Sequence, residues 1–190
     1  MTEYQPGVYE TPDDLLAEFF DDPADREDVR REAEQLAAEE RGARLVELRE
    51  RTRTPRETLA DRMGVPLQHV VDLENGDPAV NIHRLLHRAL LKSSHDFHGD
   101  IAELWPIIRY LTQLSDYVRA LGGDVDVELV KDTAGATTTW NSVRQHCLLP
   151  EPSNPPAYFT GALLSALQEH RPTRLRVWAE VEGWRTDIAA

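Results

Sequence analysis

Apolar residues along the chain recur mostly at three- and four-residue intervals, the repeat of a helix with one buried face. Thr11-Pro12-Asp13-Asp14 opens the first such stretch, with a capping hydroxyl, Pro at the first helical position and acids near the positive end of the dipole. Leu15, Leu16, Phe19 and Phe20 form its apolar face. Asp22-Pro23 restarts the pattern, and residues 24–40 have helix-forming composition with a thin stripe of Val29, Ala33, Leu36 and Ala37. Gly42 reads as a loosening of the chain before a further helix face at Leu45 and Leu48. Thr54-Pro55-Arg56-Glu57 has the form of a capping box and predicts a short helix to Met63. Gly64 suits a left-handed turn, and Pro66 opens another helix that Asn75-Gly76 ends.

Residues 82–93 read as helical through Ile82, Leu85, Leu86, Ala89 and Leu90. After a polar break at 94–100, Ile107, Leu111, Leu114, Val118 and Leu121 predict a helix over 107–121, stopped by Gly122-Gly123. The period then changes from helical to two. Val125, Val127 and Leu129 alternate with acids, which predicts a half-buried strand. Thr138-Thr139 reads as the cap of a short helix over 140–148. Four prolines mark 149–157 as a linker or rigid loop, and 159–170 as a last amphipathic helix. Leu175, Val177, Ala179 and Val181 alternate again; Glu182-Gly183 turns, and Trp184 to Ile188 pairs back as a hairpin.

Charge changes this picture by its distribution. The 190 residues carry a formal net charge of −13, which argues against binding a polyanion. Resolved along the chain, however, residues 1–40 carry a net −11 and residues 41–76 a net +1. The acidity is thus an N-terminal property, and an arm of that kind would compete with any polyanionic partner for the arginines of residues 44–62. Deletion of residues 1–40 should then tighten binding. No apolar run reaches the roughly 18 residues of a membrane span, and no secretory leader is visible, so the expected location is the cytoplasm. One cysteine, Cys147, makes neither an internal disulfide nor a cysteine-based zinc site.

The most specific signal lies in residues 44–76. Ala60 is followed by Gly64, Val70 and Leu73, the spacing of a helix-turn-helix: a small residue where two helices touch, a turn glycine and two apolar anchors. Leu59, Met63 and Val65 supply further buried contacts, and Leu45 and Leu48 close the core. The stretch RLVELRERTRTPRETLADRMGVPLQHVVDLENG, Arg44 to Gly76, resembles the Xre family of lambda/434-repressor-like helix-turn-helix domains. LSDYVRALGGDVDVELV, Leu114 to Val130, is similar to the helix and strand that follow this motif in antitoxins of the HigA type. The two stretches cover about 50 residues, roughly a quarter of the chain.

The resemblance implies that the helix at 66–74 lies in the DNA major groove, with Leu67, Gln68 and Asp72 toward base edges and His69 beside them. Gln68 can read adenine, Leu67 can pack on a thymine methyl and Asp72 can accept from cytosine N4. Asn75 matches a phosphate contact, and Thr54 opens the preceding helix, whose amides also suit phosphate. Arg53, Arg56 and Arg62 are candidate backbone contacts. The sequence departs from the family at Pro55, where Gln is usual, at Leu67 and Asp72, where polar or basic residues are usual, and at Asp77, where Lys is frequent.

Four histidines, His83, His87, His95 and His98, fall within 16 residues, and the first two share a helix face. They are the candidates for a metal site, but the Glu of a metalloprotease helix is missing, and the expectation is a polar, partly exposed helix face that holds no metal. No catalytic constellation and no phosphate loop is present, so neither enzymatic activity nor a cofactor is expected. Trp105, Trp140, Trp178 and Trp184 read as core or interface anchors.

The sequence therefore predicts a mainly α protein. It comprises an acidic helical extension (1–40), an Xre-like helix-turn-helix domain (41–131) with a helical insertion at 77–113, and a small α+β region (132–190) for dimerisation or partner binding. The predicted function is a DNA-binding transcriptional regulator, a repressor, acting on double-stranded DNA as a homodimer. Strand 124–131 and hairpin 174–188 are the candidate dimer surfaces. The alternatives are an antitoxin that neutralises a toxin through the acidic arm or the C-terminal region, and a protein-interaction adaptor that does not bind DNA.

Overall fold

The computed structural model describes residues 12–76, 101–133, 136–141 and 174–188. The fold is mainly helical, with a small antiparallel sheet. The helices are α1 (Pro12–Phe19), α2 (Pro23–Arg51), α3 (Arg56–Met63), α4 (Leu67–Asn75) and α5 (Ile101–Ala120). The strands are β1 (Asp124–Thr133), β2 (Ala136–Asn141), β3 (Arg174–Val181) and β4 (Trp184–Asp187). Their order in the sheet is β2-β1-β3-β4, and every neighbouring pair is antiparallel.

Helix α2 starts where the sequence indicated: Asp22 caps it through a side-chain bond to the Ala24 amide, with Pro23 at the first position. It then runs unbroken for 29 residues, through both the expected division at residue 40 and Gly42. The expectation that Gly42 loosens the chain is therefore corrected. Gly42 is buried inside the helix because the C-terminal end of α4 lies against it. A Cβ there would stand 2.2 Å from the Glu74 carbonyl oxygen, and one on Gly76 would stand 2.1 Å from the Ala38 carbonyl oxygen. The two glycines allow the backbones of α2 and α4 to meet with no side chain between them.

Helix α5 is buried on most of its circumference from Ile107 onward, as befits a central helix. It touches α3 on one side and β1 and β3 on the other. Leu45, Leu48, Leu59, Ala60, Val70 and Leu73 join Ile107, Leu111, Leu114 and Val118 in one core, continuous with Val125, Val127, Leu129, Leu175, Val177, Ala179 and Ile188 of the sheet side. A fully buried Leu of this kind contributes about 2 kcal/mol by removal from water. The helix begins six residues before the expected 107 and ends, as expected, ahead of Gly122, which has φ +83°.

The strand at Val125–Leu129 and the terminal hairpin form as read from their alternation. Glu182 and Gly183 both have positive φ, as the two-residue hairpin turn requires. Three expectations need correction. Residues 136–141 are strand β2, paired with β1 through Leu129–Trp140 and Val130–Thr139, so Thr138 and Thr139 do not cap a helix. Three consecutive Thr are β-branched and favour the pleated conformation. β1 is an inner strand with partners on both sides, so its edge is not available to a second copy. Because β1 pairs with β3, the strand at 124–131 and the terminal hairpin belong to one sheet across the expected division at 131. The expected helix at 140–148 is strand at 140–141, and its remainder, the expected helices at 82–93 and 159–170, the proline-rich segment, Cys147 and the four clustered histidines lie outside the described residues.

No described helix is long and apolar enough to cross a membrane.

Candidate nucleic-acid interface

Helices α3 and α4 are joined by a turn that Gly64 makes at φ +67°, the left-handed conformation expected of it. The Gly64 amide donates to the Asp61 carbonyl (3.2 Å) and the Val65 amide to the Ala60 carbonyl (3.1 Å), closing the C-terminal end of α3. Ala60, Val70 and Leu73 are buried, and Met63 and Val65 pack partly against the same core, in the roles that their spacing assigned.

The outer face of α4 carries the residues predicted to meet bases (Leu67, Gln68 and Asp72, with His69 beside them) and the predicted phosphate contact Asn75. Gln68, Asp72 and Asn75 lie at i, i+4 and i+7 and are all exposed, Leu67 is 40% exposed, and His69 is partly buried. Gln68 Nε2 donates to Asp72 Oδ1 at 2.8 Å. That bond fixes the orientation of the amide and leaves its carbonyl and second N–H for a base edge.

The start of α3 differs from the expected capping box. α3 begins at Arg56 with Pro55 as its cap residue, and no side-chain cap bond forms. Thr54 is buried and its hydroxyl lies 2.9 Å from that of Thr52. Two groups turned toward each other satisfy Thr54 locally, so its side chain contributes nothing to a phosphate contact.

The arginines of residues 41–76 serve different ends. Arg44 donates to the Asp187 carbonyl and to Glu40, and Arg51 stacks 4.4 Å over the Trp184 ring, so both tie β4 to α2. Exposed Arg62 donates to the Ala120 carbonyl at the end of α5 (3.0 Å). Arg53 is exposed and sits in the α2–α3 turn with φ +51°. Left-handed backbone at a residue with a Cβ costs about 1 kcal/mol. Arg53→Gly is therefore expected to raise the thermal midpoint by a few degrees, with Arg53→Ala as the unchanged control. An equal or lower midpoint for the glycine variant in a thermal melt would contradict this.

Arg49 and Arg56 converge on Glu74, whose side chain is 1% exposed. Oε1 accepts from Arg49 Nε at 2.6 Å, and Oε2 accepts from Arg56 Nε at 2.6 Å. The Tyr117 hydroxyl lies 2.8 Å from Oε1 and 2.9 Å from the Leu45 carbonyl oxygen. A phenol has one proton to give, and the Leu45 carbonyl already has a donor in the α2 ladder, so the carboxylate receives it. Burial alone would push the Glu74 carboxyl upward. The bonds from Arg49, Arg56 and Tyr117 outweigh that and hold it below its ordinary value of 4.5. The bond to Glu74 raises Arg49, while burial and the same carboxylate raise Tyr117.

Sequence reasoning passed over Glu74, Arg49 and Tyr117. One signal was present: Val70, Leu73 and Glu74 follow i, i+3, i+4, which puts a carboxylate on the buried stripe of α4. A buried carboxylate implies cationic partners. The acidic arm also has a different relation to the site from the one expected. Ala38 is fully buried and meets Gly76, so Glu34, Glu39 and Glu40 stand within about one helical turn of the end of α4. Deleting residues 1–40 would remove Ala38 from the core, so that deletion reports on folding as well as on charge.

Among the described residues no group of three or more His, Cys, Asp or Glu side chains is arranged to hold a metal ion. No family model, no curated protein and no solved structure matches the chain.

Proposed function

We propose that the protein is a sequence-specific, non-enzymatic DNA-binding regulator, a repressor that acts on a two-fold operator as a homodimer. The observation that carries the reading is the exposed row Gln68, Asp72 and Asn75 on α4, a helix fixed to α3 by the Gly64 turn. A helix held this way can enter a major groove with polar side chains toward base edges. Exposed Arg53 and part-exposed Arg56 stand at the entry to α3, where backbone phosphates would pass. Few cations are uncommitted, and acids flank the end of α4. Binding is therefore modest, and a dimer gains affinity by engaging two half-sites. The outer strands β2 and β4 are the sheet edges through which two copies would pair.

Selection of bound DNA from a random pool at low salt tests this. The expected product is a palindrome, and Gln68→Ala should cost about 1–3 kcal/mol and relax the preference at one position per half-site. Recovery of no preferred sequence would end the regulator reading.

A second reading, a protein-interaction adaptor, draws on three exposed large apolar residues: Phe19 (62%), Leu36 (60%) and Leu67 (40%). It gains if the selection fails and Leu67→Ala or Leu36→Ala removes a binding partner.

A further inference from the structure

We propose that Tyr117 is a positioning residue for nucleic-acid recognition: through Glu74 it orients the Arg56 guanidinium as a clamp for a backbone phosphate. The inference rests on the DNA-binding reading and adds to it a residue that lies on neither α3 nor α4.

Glu74 is the last buried residue of α4, and Arg56 is the first residue of α3. Their bond closes the two-helix unit at the end opposite the Gly64 turn. Arg56 engages the carboxylate through Nε, and its side chain is 42% exposed, so the Nη end of the fork faces outward. An Arg fork held at one end loses less freedom when a phosphate takes the other end. The charges agree with this role. Two guanidinium groups meet one carboxylate, so these three side chains carry a net positive charge, with Glu50 acting on Arg49 and Glu57 in the first turn of α3. Arg49 (12% exposed) and Glu74 (1%) match each other, which leaves the part-exposed Arg56 to bear the excess.

Tyr117 supplies the fixed reference. Its ring is fully buried in α5, the helix that packs the sheet against the reading helices. Its hydroxyl reaches Glu74 Oε1 at 2.8 Å. Without that donor the carboxylate can rotate toward Arg49, which already bonds both oxygens (2.6 and 3.3 Å), and release Arg56 Nε. The orientation of the clamp is thus tied to α5.

Tyr117→Phe keeps the ring and removes only the hydroxyl. Two measurements on the full chain distinguish positioning from packing. By 15N NMR, Arg56 Nε–H gives a protected signal, assigned by its loss in Arg56→Lys. Tyr117→Phe should abolish that protection while the thermal transition remains cooperative. In titrations with the selected palindrome, the slope of log affinity against log salt should fall by about 2, the loss of one phosphate contact in each half of the dimer. Arg56→Ala added to Tyr117→Phe should then cost little more than either change alone. Retained Arg56 Nε–H protection, or an unchanged salt slope with additive losses, would overturn the proposal. If the wild-type chain prefers no DNA, the regulator reading falls on its own, and the NMR result alone decides whether Tyr117 orients Arg56.

Discussion

Gly42→Ala is expected to destabilise the protein by about 3 kcal/mol or more, although the same exchange inside an ordinary helix stabilises by about 1. The sign reverses because of backbone geometry. The new Cβ would lie 2.2 Å from the Glu74 carbonyl oxygen and 2.9 Å from its carbon, and neither atom can swing aside. α4 must move away from α2 by about 1 Å, which strains the buried Glu74 cluster and the Val70 and Leu73 packing as well. Gly64→Ala is the control. Gly64, unlike the helical Gly42, has positive φ, and no atom lies within 4 Å of its added Cβ, so only the left-handed backbone is penalised, by about 1 kcal/mol. Urea denaturation of both variants compares the two effects. A Gly42→Ala protein as stable as wild type would mean that α2 and α4 do not meet here.

The second large effect concerns Glu74→Gln. Removing the charge leaves Arg49, whose side chain is 12% exposed, and Arg56 without their counter-ion, a change that costs about 3–5 kcal/mol when a buried pair is broken. The pH dependence follows from the lowered carboxyl. A carboxylate held below its ordinary value stabilises the fold fully above that value, and the contribution fades as pH falls through the lowered one. Wild type should lose stability steeply below about pH 4.5, whereas Glu74→Gln starts lower at pH 7 and shows a flatter acid limb. The gap between the two should therefore narrow toward pH 3. A gap of constant size across that range would mean that ionised Glu74 does not hold the cluster.

What could be read in advance follows the range of the physics involved. The Gly64 turn, the Asp22–Pro23 helix start, the alternation of β1 and the Glu182–Gly183 hairpin all depend on residues within a few positions of one another. The exposed row on α4 was legible for the same reason, since i, i+4, i+7 spacing is local. The Gly42–Glu74 approach joins backbones 32 positions apart, and nothing near Gly42 distinguishes a contact glycine from a flexible one. Tyr117 was passed over, because its partner Glu74 lies 43 residues away. Residues 136–141 were misread because Thr is both a capping residue and a strand former, and pairing with β1 decided between the two.

The sheet order also bears on how the chain is made. β1 is an inner strand, and its Val130 pairs with Arg174, which leaves the ribosome 44 residues later. At about 5–20 residues per second, β1 and the underside of α5 wait several seconds for β3. Ile188, fully buried in the shared core, is later still. Helices α2 to α4 therefore emerge with half of their supporting layer unbuilt. An apolar helix in that condition is a natural client for a chaperone. The final hairpin packs on α5 and α2, so a chain interrupted before residue 174 would carry α2 to α4 without that layer of support.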